Sequence, residues 1–157
     1  MKALIFLLCA CIMVCGCVTV KMPDPAHDDF PYNKVFSADF TLTLESTLET
    51  LRSLDWEVSE VSRSTLIKKD KTPRTIPQLR AYIFTNIKQR QFIITSTYST
   101  INARVETIDE KRTAVSLRYL AMTPILPFFK EKINHSNDKL VKKIYKKIEE
   151  VIGTQER

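Results

Sequence analysis

Glycine is nearly absent from this chain of 157 residues, which contains only Gly16 and Gly153. Glycine-rich phosphate loops and dinucleotide-binding fingerprints need several glycines, because the backbone must approach the ligand without an intervening Cβ atom. The sequence therefore excludes both kinds of nucleotide site. A formal net charge of +6 is also too small to indicate nucleic-acid binding, so we expect no nucleic-acid partner.

The sequence also has little that suits catalysis or metal binding. Its two histidines are His27 and His135, and neither has a Cys, His or carboxylate at metal-ligand spacing. The serines form no nucleophile elbow, and His135 has no evident aspartate partner. We therefore predict a protein that is not an enzyme and has no metal or cofactor. The alternative is a hydrolase whose polar residues are brought together only by folding.

All four cysteines lie in the first seventeen residues, MKALIFLLCACIMVCGC. Lys2 is followed by an apolar run, Ala3–Val14, which has the length of a signal-peptide core. The uncharged stretch continues to Val20, which is near the lower limit for a helix that spans a bilayer. Length alone therefore leaves two alternatives open, a cleaved signal and an uncleaved anchor.

The end of this stretch, Val14-Cys15-Gly16-Cys17, resembles the bacterial lipobox. The resemblance implies that residues 1–16 are a signal peptide and that Cys17 carries diacylglyceryl and an N-acyl chain such as palmitate. Two or three acyl chains hold a protein durably at a membrane, whereas one holds it only marginally. The residue after Cys17 is Val18 and not aspartate. In a host that sorts lipoproteins as enteric Gram-negative bacteria do, this favours the outer membrane, with the protein facing the periplasm.

The rest of the chain divides into a tether, one domain and a tail. Residues 17–33 are the lipidated N-terminus and a tether. Residues 18–33 combine prolines and aspartates without apolar periodicity, which is typical of a tether, and these sixteen residues would span ~50 Å when extended. Residues 34–153 are long enough for a single domain with a sizeable core, and residues 154–157 form a short tail. With only Cys17 left after cleavage, no disulfide can form, so that core must supply the stability.

Apolar periodicity predicts an α+β domain with an antiparallel sheet of four to five strands. Helices are predicted for 40–54, capped by Asp39, and for 137–152, capped by Ser136 or Asn137 and stopped by Gly153. Residues 77–88 fit a helix or a strand, with helix preferred, so two or three helices should pack on one face of the sheet. Strands are predicted for 34–38, 56–61, 65–69, 92–108 and 113–120.

Two details of the strands are also predicted. The apolar parity of 92–108 changes phase, which indicates a bulge within 96–100. A three-residue loop, 110–112, would then pair Val105 with Leu117 and Ala103 with Tyr119.

The order of these elements, with YSTINARVETIDEKRTAVSLRY before the closing helix, is similar to small bacterial lipoprotein domains. They include the C component of the β-barrel assembly machinery and uncharacterised relatives. The resemblance covers residues 34–152 loosely, and the segment between Lys69 and Arg90 is an insertion relative to it. It implies a non-enzymatic accessory or scaffold part of an envelope complex, with an envelope protein as partner. Among the functional residues of those domains, only the lipidated cysteine has a counterpart in this sequence.

Two further segments are candidates for contact with a partner. The first is the apolar segment 123–129, which contains two prolines. It is a lid over one end of the core, a contact with a partner, or the gate of a carrier for lipid or a small apolar ligand. Its candidate contact residues are Ile125, Leu126, Phe128 and Phe129. The second is the last helix, which places lysines opposite its apolar stripe. These lysines are Lys142, Lys143, Lys146 and Lys147. They form either a solvated face or a site for anionic lipid head groups or cell-wall polymer.

Overall fold

The computed structural model describes residues 30–66, 78–91, 96–125 and 130–155, which form two helices and one antiparallel sheet of seven strands. The α+β class is confirmed, and the number of strands exceeds the predicted four to five. In chain order the elements are β1 (Tyr32–Phe36), α1 (Phe40–Ser53), β2 (Val58–Leu66), β3 (Gln78–Thr85), β4 (Lys88–Gln91), β5 (Ser96–Asp109), β6 (Arg112–Ile125), β7 (Lys130–Asn134) and α2 (Asp138–Gln155).

The sheet is built around the long β5–β6 hairpin. Its strands follow the order β1-β6-β5-β3-β2, while β4 pairs with β5 and β7 pairs with β6. Residues that lie opposite each other in antiparallel strands share a face, and Ile83, Ala103 and Leu117 follow one another across β3, β5 and β6 in this way. All three are fully buried. They belong to one apolar core with residues of both helices, Leu44, Leu51, Ile144 and Ile148.

Helix α1 begins where the sequence predicts, because the Asp39 carboxylate accepts a hydrogen bond of 2.9 Å from the Leu42 amide. On its buried side, Leu48 is only partly buried. Small hydroxyl residues are fully buried instead, and they are Thr43, Ser46, Thr47 and Thr50. Periodicity of leucines could not reveal this, because threonine and serine count as polar in such a pattern.

The predicted hairpin of 56–61 with 65–69 is wrong. Strand β2 runs without interruption from Val58 to Leu66 and pairs with β3, so the predicted turn at Ser62–Ser64 lies inside a strand. These residues are polar because β2 is the last strand of the sheet and Ser62 and Ser64 are exposed. Residues 67–69 lie outside the described residues.

The preferred helix at 77–88 is also wrong, because residues 78–85 form strand β3 between β2 and β5. The spacing of Leu79 and Ile83 fits both a helical turn and a strand alternation. Pairing on both sides decides in favour of the strand, with Ala81 and Ile83 fully buried on the core face. A third helix is therefore not formed by these residues.

The predicted bulge within 96–100 is absent from the described part of β5, which pairs with β6 in one register from Tyr98 to Thr107. Ser99 takes the buried core position that an apolar residue was expected to fill, so the alternation keeps its phase. The irregularity lies between Thr107 and Asp109. Phe92 and Ile94, on which the prediction rested, lie outside the described residues.

The β5–β6 turn is shorter than predicted. Val105 pairs with Val115 and Ala103 with Leu117, which is a shift of two residues from the predicted register and therefore leaves the faces unchanged. The Asp109 carboxylate accepts hydrogen bonds from the Lys111 amide and from Arg112 Nε, which closes a two-residue turn at Glu110 and Lys111. These bonds lower the pKa of Asp109, with the Arg112 hydrogen bond as the larger cause.

Helix α2 begins as predicted at Asn137, whose side chain accepts from the Leu140 amide, but it continues through Gly153 to Gln155. Gly153 has no positive φ, so it does not form the left-handed C-terminal stop that was predicted. Strand β1 is tied to the start of this helix, because the Tyr32 hydroxyl donates to Asp138 and accepts from the Asn137 amide. Strand β1 therefore begins at Tyr32, two residues before the predicted strand start at Lys34.

Helix α1 ends in a Schellman motif that requires a left-handed residue. The Trp56 amide donates to Leu51 O and the Asp55 amide to Arg52 O, with Asp55 at φ 58°. Lys88 Nζ donates to Asp55 O at 3.0 Å and lies 5.4 Å from the centroid of the Trp56 ring. The end of the helix is thus held by β4 as well as by its own backbone.

We predict that Asp55→Gly stabilises the domain, because glycine adopts positive φ without a Cβ penalty. The matched control is Asp55→Ala, which removes the same carboxylate and keeps the strain. The free energy of unfolding of the glycine variant should exceed that of the alanine variant by about 1 kcal/mol in urea titrations. Equal stabilities would contradict the role assigned to the left-handed backbone.

Candidate functional site

The sheet face opposite the two described helices carries an arginine and aromatic cluster. Tyr82 pairs with Arg104, and Arg104 pairs with Ser116, so these residues share one face that turns away from the core face. We call this surface the helix-free face. It consists of Arg80, Tyr82 and Phe84 on β3, Asn102, Arg104 and Glu106 on β5, and Ser116 and Arg118 on β6.

Glu106 is the electrostatic centre of the helix-free face. Its Oε1 atom accepts hydrogen bonds from Gln78 and from Arg80 Nη2, the latter at 2.7 Å, and Arg104 Nε lies 3.8 Å from Oε2. The side chains of Arg80, Arg104 and Glu106 are 24%, 21% and 19% exposed. The hydrogen bond to Glu106 raises the pKa of Arg80, and burial opposes this. One carboxylate therefore serves two guanidinium groups in a poorly solvated setting.

Aromatic rings extend this cluster. The rings of Tyr82 and Phe84 stack with centroids 6.4 Å apart and an interplanar angle of 14°. Phe30, which precedes β1, packs its ring 6.4 Å from that of Tyr82, and Arg104 Cζ lies 5.2 Å from the Phe30 centroid. A guanidinium at this distance from an aromatic ring is attracted by the ring's quadrupole. The segment entering β1 thus already contacts the helix-free face.

The cluster also contains polar atoms with unmet hydrogen bonds. Within the described residues, Asn102 Oδ1, Arg80 Nε and Arg104 Nε are buried and have no hydrogen-bond partner. Buried polar groups without partners cost free energy, so they are rare in the absence of a ligand or a covering segment. The two guanidinium nitrogens are donors and the Asn102 oxygen is an acceptor, so both kinds of hydrogen-bonding group are unpaired here.

The lysines predicted as an anionic-surface contact are placed by α2 on the side away from the sheet. Lys142, Lys143 and Lys146 are exposed, as expected, whereas Lys147 is partly buried and lines a shallow groove with Glu49 of α1. Two glutamates reduce the positive charge of this surface. Lys146 Nζ lies 3.6 Å from Glu150 Oε1, and Glu149 forms a salt bridge with Lys34 of β1.

The other predicted contact residues are only partly covered by the structure. Ile125 is the last residue of β6, and Thr123 and Pro124 pair with β7, so the predicted loop 123–129 is a strand in its first three residues. Leu126, Phe128 and Phe129 lie outside the described residues, and so does Cys17. Strand β7 itself was not predicted, because its sequence KEKIN lacks a regular alternation.

The helix-free face was missed because residues 78–85 were interpreted as a helix. As a strand, the same residues alternate Leu79, Ala81 and Ile83 with Arg80, Tyr82 and Phe84. That alternation would have placed two aromatic rings and an arginine together on the face opposite the core. The strand alternation was therefore present in the sequence, but the segment was interpreted with the period of a helix.

Comparison with protein-family models, curated proteins and solved structures finds no match for this chain. The resemblance to envelope-assembly lipoproteins therefore stays a prediction. Neither described helix is long and apolar enough to cross a bilayer. In the same residues, no three His, Cys, Asp or Glu side chains are grouped for a metal ion.

We predict that Glu106→Gln destabilises the domain by about 1–3 kcal/mol, because two partly buried guanidinium groups lose their shared counter-charge. Urea unfolding at neutral pH measures the change. The control Glu110→Gln removes an exposed carboxylate from the β5–β6 turn and should shift stability by no more than about 0.5 kcal/mol. If both variants lose the same amount, Glu106 has no special role in the helix-free face.

Proposed function

We propose that this protein is a lipid-anchored component of the bacterial cell envelope that acts by binding another envelope component. The observation that carries the proposal is the sequence Val14-Cys15-Gly16-Cys17 after a signal-like apolar run. In the lipobox pattern, the small residue Gly16 precedes the cleavage site and Cys17 carries the lipid. The N-acyl and diacylglyceryl chains would then hold residues 18–157 at the membrane surface.

A binding role is supported by the surfaces of the domain. Lys142, Lys143 and Lys146 form an exposed basic patch on α2, on the side away from the sheet. The helix-free face adds tyrosine, phenylalanine and arginine, residue types that are enriched in protein interfaces. The apolar segment from Ile125 to Phe129 remains a second proposed contact, as the sequence indicates.

We predict that Cys17→Ser abolishes incorporation of labelled fatty acid, because the acylated sulfur is lost. The variant should stay uncleaved at Gly16 or leave the membrane fraction. Cys15→Ser is the matched control, since it changes the neighbouring cysteine and keeps a small residue at that position, and it should still be labelled. Label that persists in the Cys17→Ser variant would contradict lipidation at this residue.

The same labelled cells can be fractionated on a density gradient. Val18 after the modified cysteine favours the outer membrane in a host with enteric sorting, so the wild-type protein should sediment with outer-membrane markers. A purely inner-membrane distribution would contradict this part of the proposal.

A further inference from the structure

The exposed side of α2 carries one continuous stripe of positive charge. We call it the lysine stripe, and it consists of the exposed residues Lys139, Lys142, Lys143 and Lys146. Successive members are neighbours on the helix surface, and together they extend over about 10 Å, because an α-helix rises about 1.5 Å per residue. The lysine stripe lies opposite the buried residues of the same helix, which are Val141, Ile144, Tyr145, Ile148 and Ile152.

Two acids of α2 are directed towards β1 and not towards the lysine stripe. The Asp138 carboxylate accepts the hydrogen bond that the Tyr32 hydroxyl donates, at 2.7 Å. Glu149 Oε1 lies 2.7 Å from Lys34 Nζ, also on β1. Both carboxylates therefore help to hold the helix against the edge of the sheet.

Most of the lysine stripe is left without a counter-charge. Glu150 Oε1 lies 3.6 Å from Lys146 Nζ, and the two side chains are 61% and 80% exposed. A pair as exposed as this one is strongly screened by water and contributes little. In the part of the chain that the structure describes, Lys139, Lys142 and Lys143 have no salt-bridge partner.

The lysine stripe is unfavourable for the helix that carries it. Each of its lysines has another one three or four residues away, and like charges at these spacings repel each other. Lys139 also lies in the first turn, next to the positive end of the helix dipole, whereas the last turn has no basic residue. Neither helix stability nor core packing therefore explains the stripe, but an anionic partner does.

The composition of the lysine stripe favours lipid phosphates over a folded protein as that partner. The cores of protein interfaces are enriched in aromatic residues and arginine and depleted in lysine. The exposed large apolar residues of the described chain all lie outside α2, and they are Val35, Ile87, Ile108 and Ile133. Lysine binds phosphate as a point charge without a fixed geometry, so a row of lysines suits the mobile head groups of an anionic bilayer.

We propose that the lysine stripe docks α2 onto the anionic lipid head groups of the membrane. This inference rests on the lipid anchor proposed above, which would keep the domain beside a membrane and so raise the local concentration of head groups. Both helices pack on the same face of the sheet, and the stripe lies on the side of α2 away from it. Docking would therefore turn the helix-free face away from the membrane, towards the rest of the envelope.

Acetylation of lysines on vesicles tests the docking. The full chain, purified in detergent, is transferred to preformed vesicles of phosphatidylcholine alone or of equal parts of phosphatidylcholine and phosphatidylglycerol. Mass spectrometry then gives the acetylation rate of each lysine. The exposed residues Lys111, in the β5–β6 turn, and Lys132, on β7, serve as internal references.

The lysine stripe should react several-fold more slowly on the anionic vesicles than on the neutral ones, while the two references keep their rates. Electrostatic contacts with head groups exchange rapidly, so the lysines are slowed and not blocked. Addition of 1 M NaCl should remove the difference, because it shortens the Debye length to about 3 Å.

Charge variants separate the lysine stripe from the net charge of the domain. Changing Lys142→Gln together with Lys143→Gln should bring the remaining lysines of the stripe back to the rates measured on neutral vesicles. The matched control, Lys111→Gln together with Lys132→Gln, also removes two exposed lysines and should leave the slowing unchanged.

Equal rates for the lysine stripe on the two kinds of vesicle would overturn the docking, and so would an equal slowing of Lys111 and Lys132. Flotation of the same samples reports the anchor separately. A chain that floats with both kinds of vesicle and shows equal rates has the anchor without the docking. A chain that floats only with anionic vesicles would support the docking and contradict the anchor, and a chain that floats with neither would contradict both.

Discussion

The pairing of β5 with β6 is the constraint on which the rest of this structure depends. The hairpin keeps one register from Tyr98–Met122 to Thr107–Thr113, so every residue along it has a fixed face. Four described strands join its two sides, with β3 and β4 on β5, and β1 and β7 on β6, and β2 then pairs with β3. A shift by one residue would exchange the apolar and the charged faces together, which makes this register costly to change.

The fixed register gives the sheet two chemically different sides. One side carries Ala103, Val105, Val115 and Leu117, all fully buried beneath the helices. The other carries Arg104 and Glu106 on the same strand, one residue away from these positions. One side therefore carries the apolar packing with the helices, and the other carries the cluster of charged and aromatic side chains around Glu106.

Much of the architecture follows from local sequence, and the exceptions have physical causes. Asp39 and Asn137 cap the helices as expected, because capping depends on a side chain and the few amides next to it. Strand β3 was misread because Leu79 and Ile83 fit two periods, and only pairing with β2 and β5 decides between them. Long-range pairing of this kind leaves no unambiguous signal in a short window.

The candidate surfaces were predictable to different degrees. The exposed lysines of α2 follow directly from helical periodicity, and Lys147 departs from it because α1 packs beside it at Glu49. The cluster of Phe30, Tyr82 and Arg104 joins three separate stretches of the chain. No spacing within the sequence links these stretches, so this cluster appears only after the strand order is known.

We propose that the anchored domain works by binding another envelope component. Crosslinking in intact cells with a cleavable amine-reactive reagent, followed by mass spectrometry, tests this most directly, since Lys142, Lys143 and Lys146 are exposed to such a reagent. The control is an unrelated domain carried on residues 1–29. We expect a specific envelope protein to be enriched over this control. If no envelope protein is enriched, a binding role in an envelope complex is contradicted.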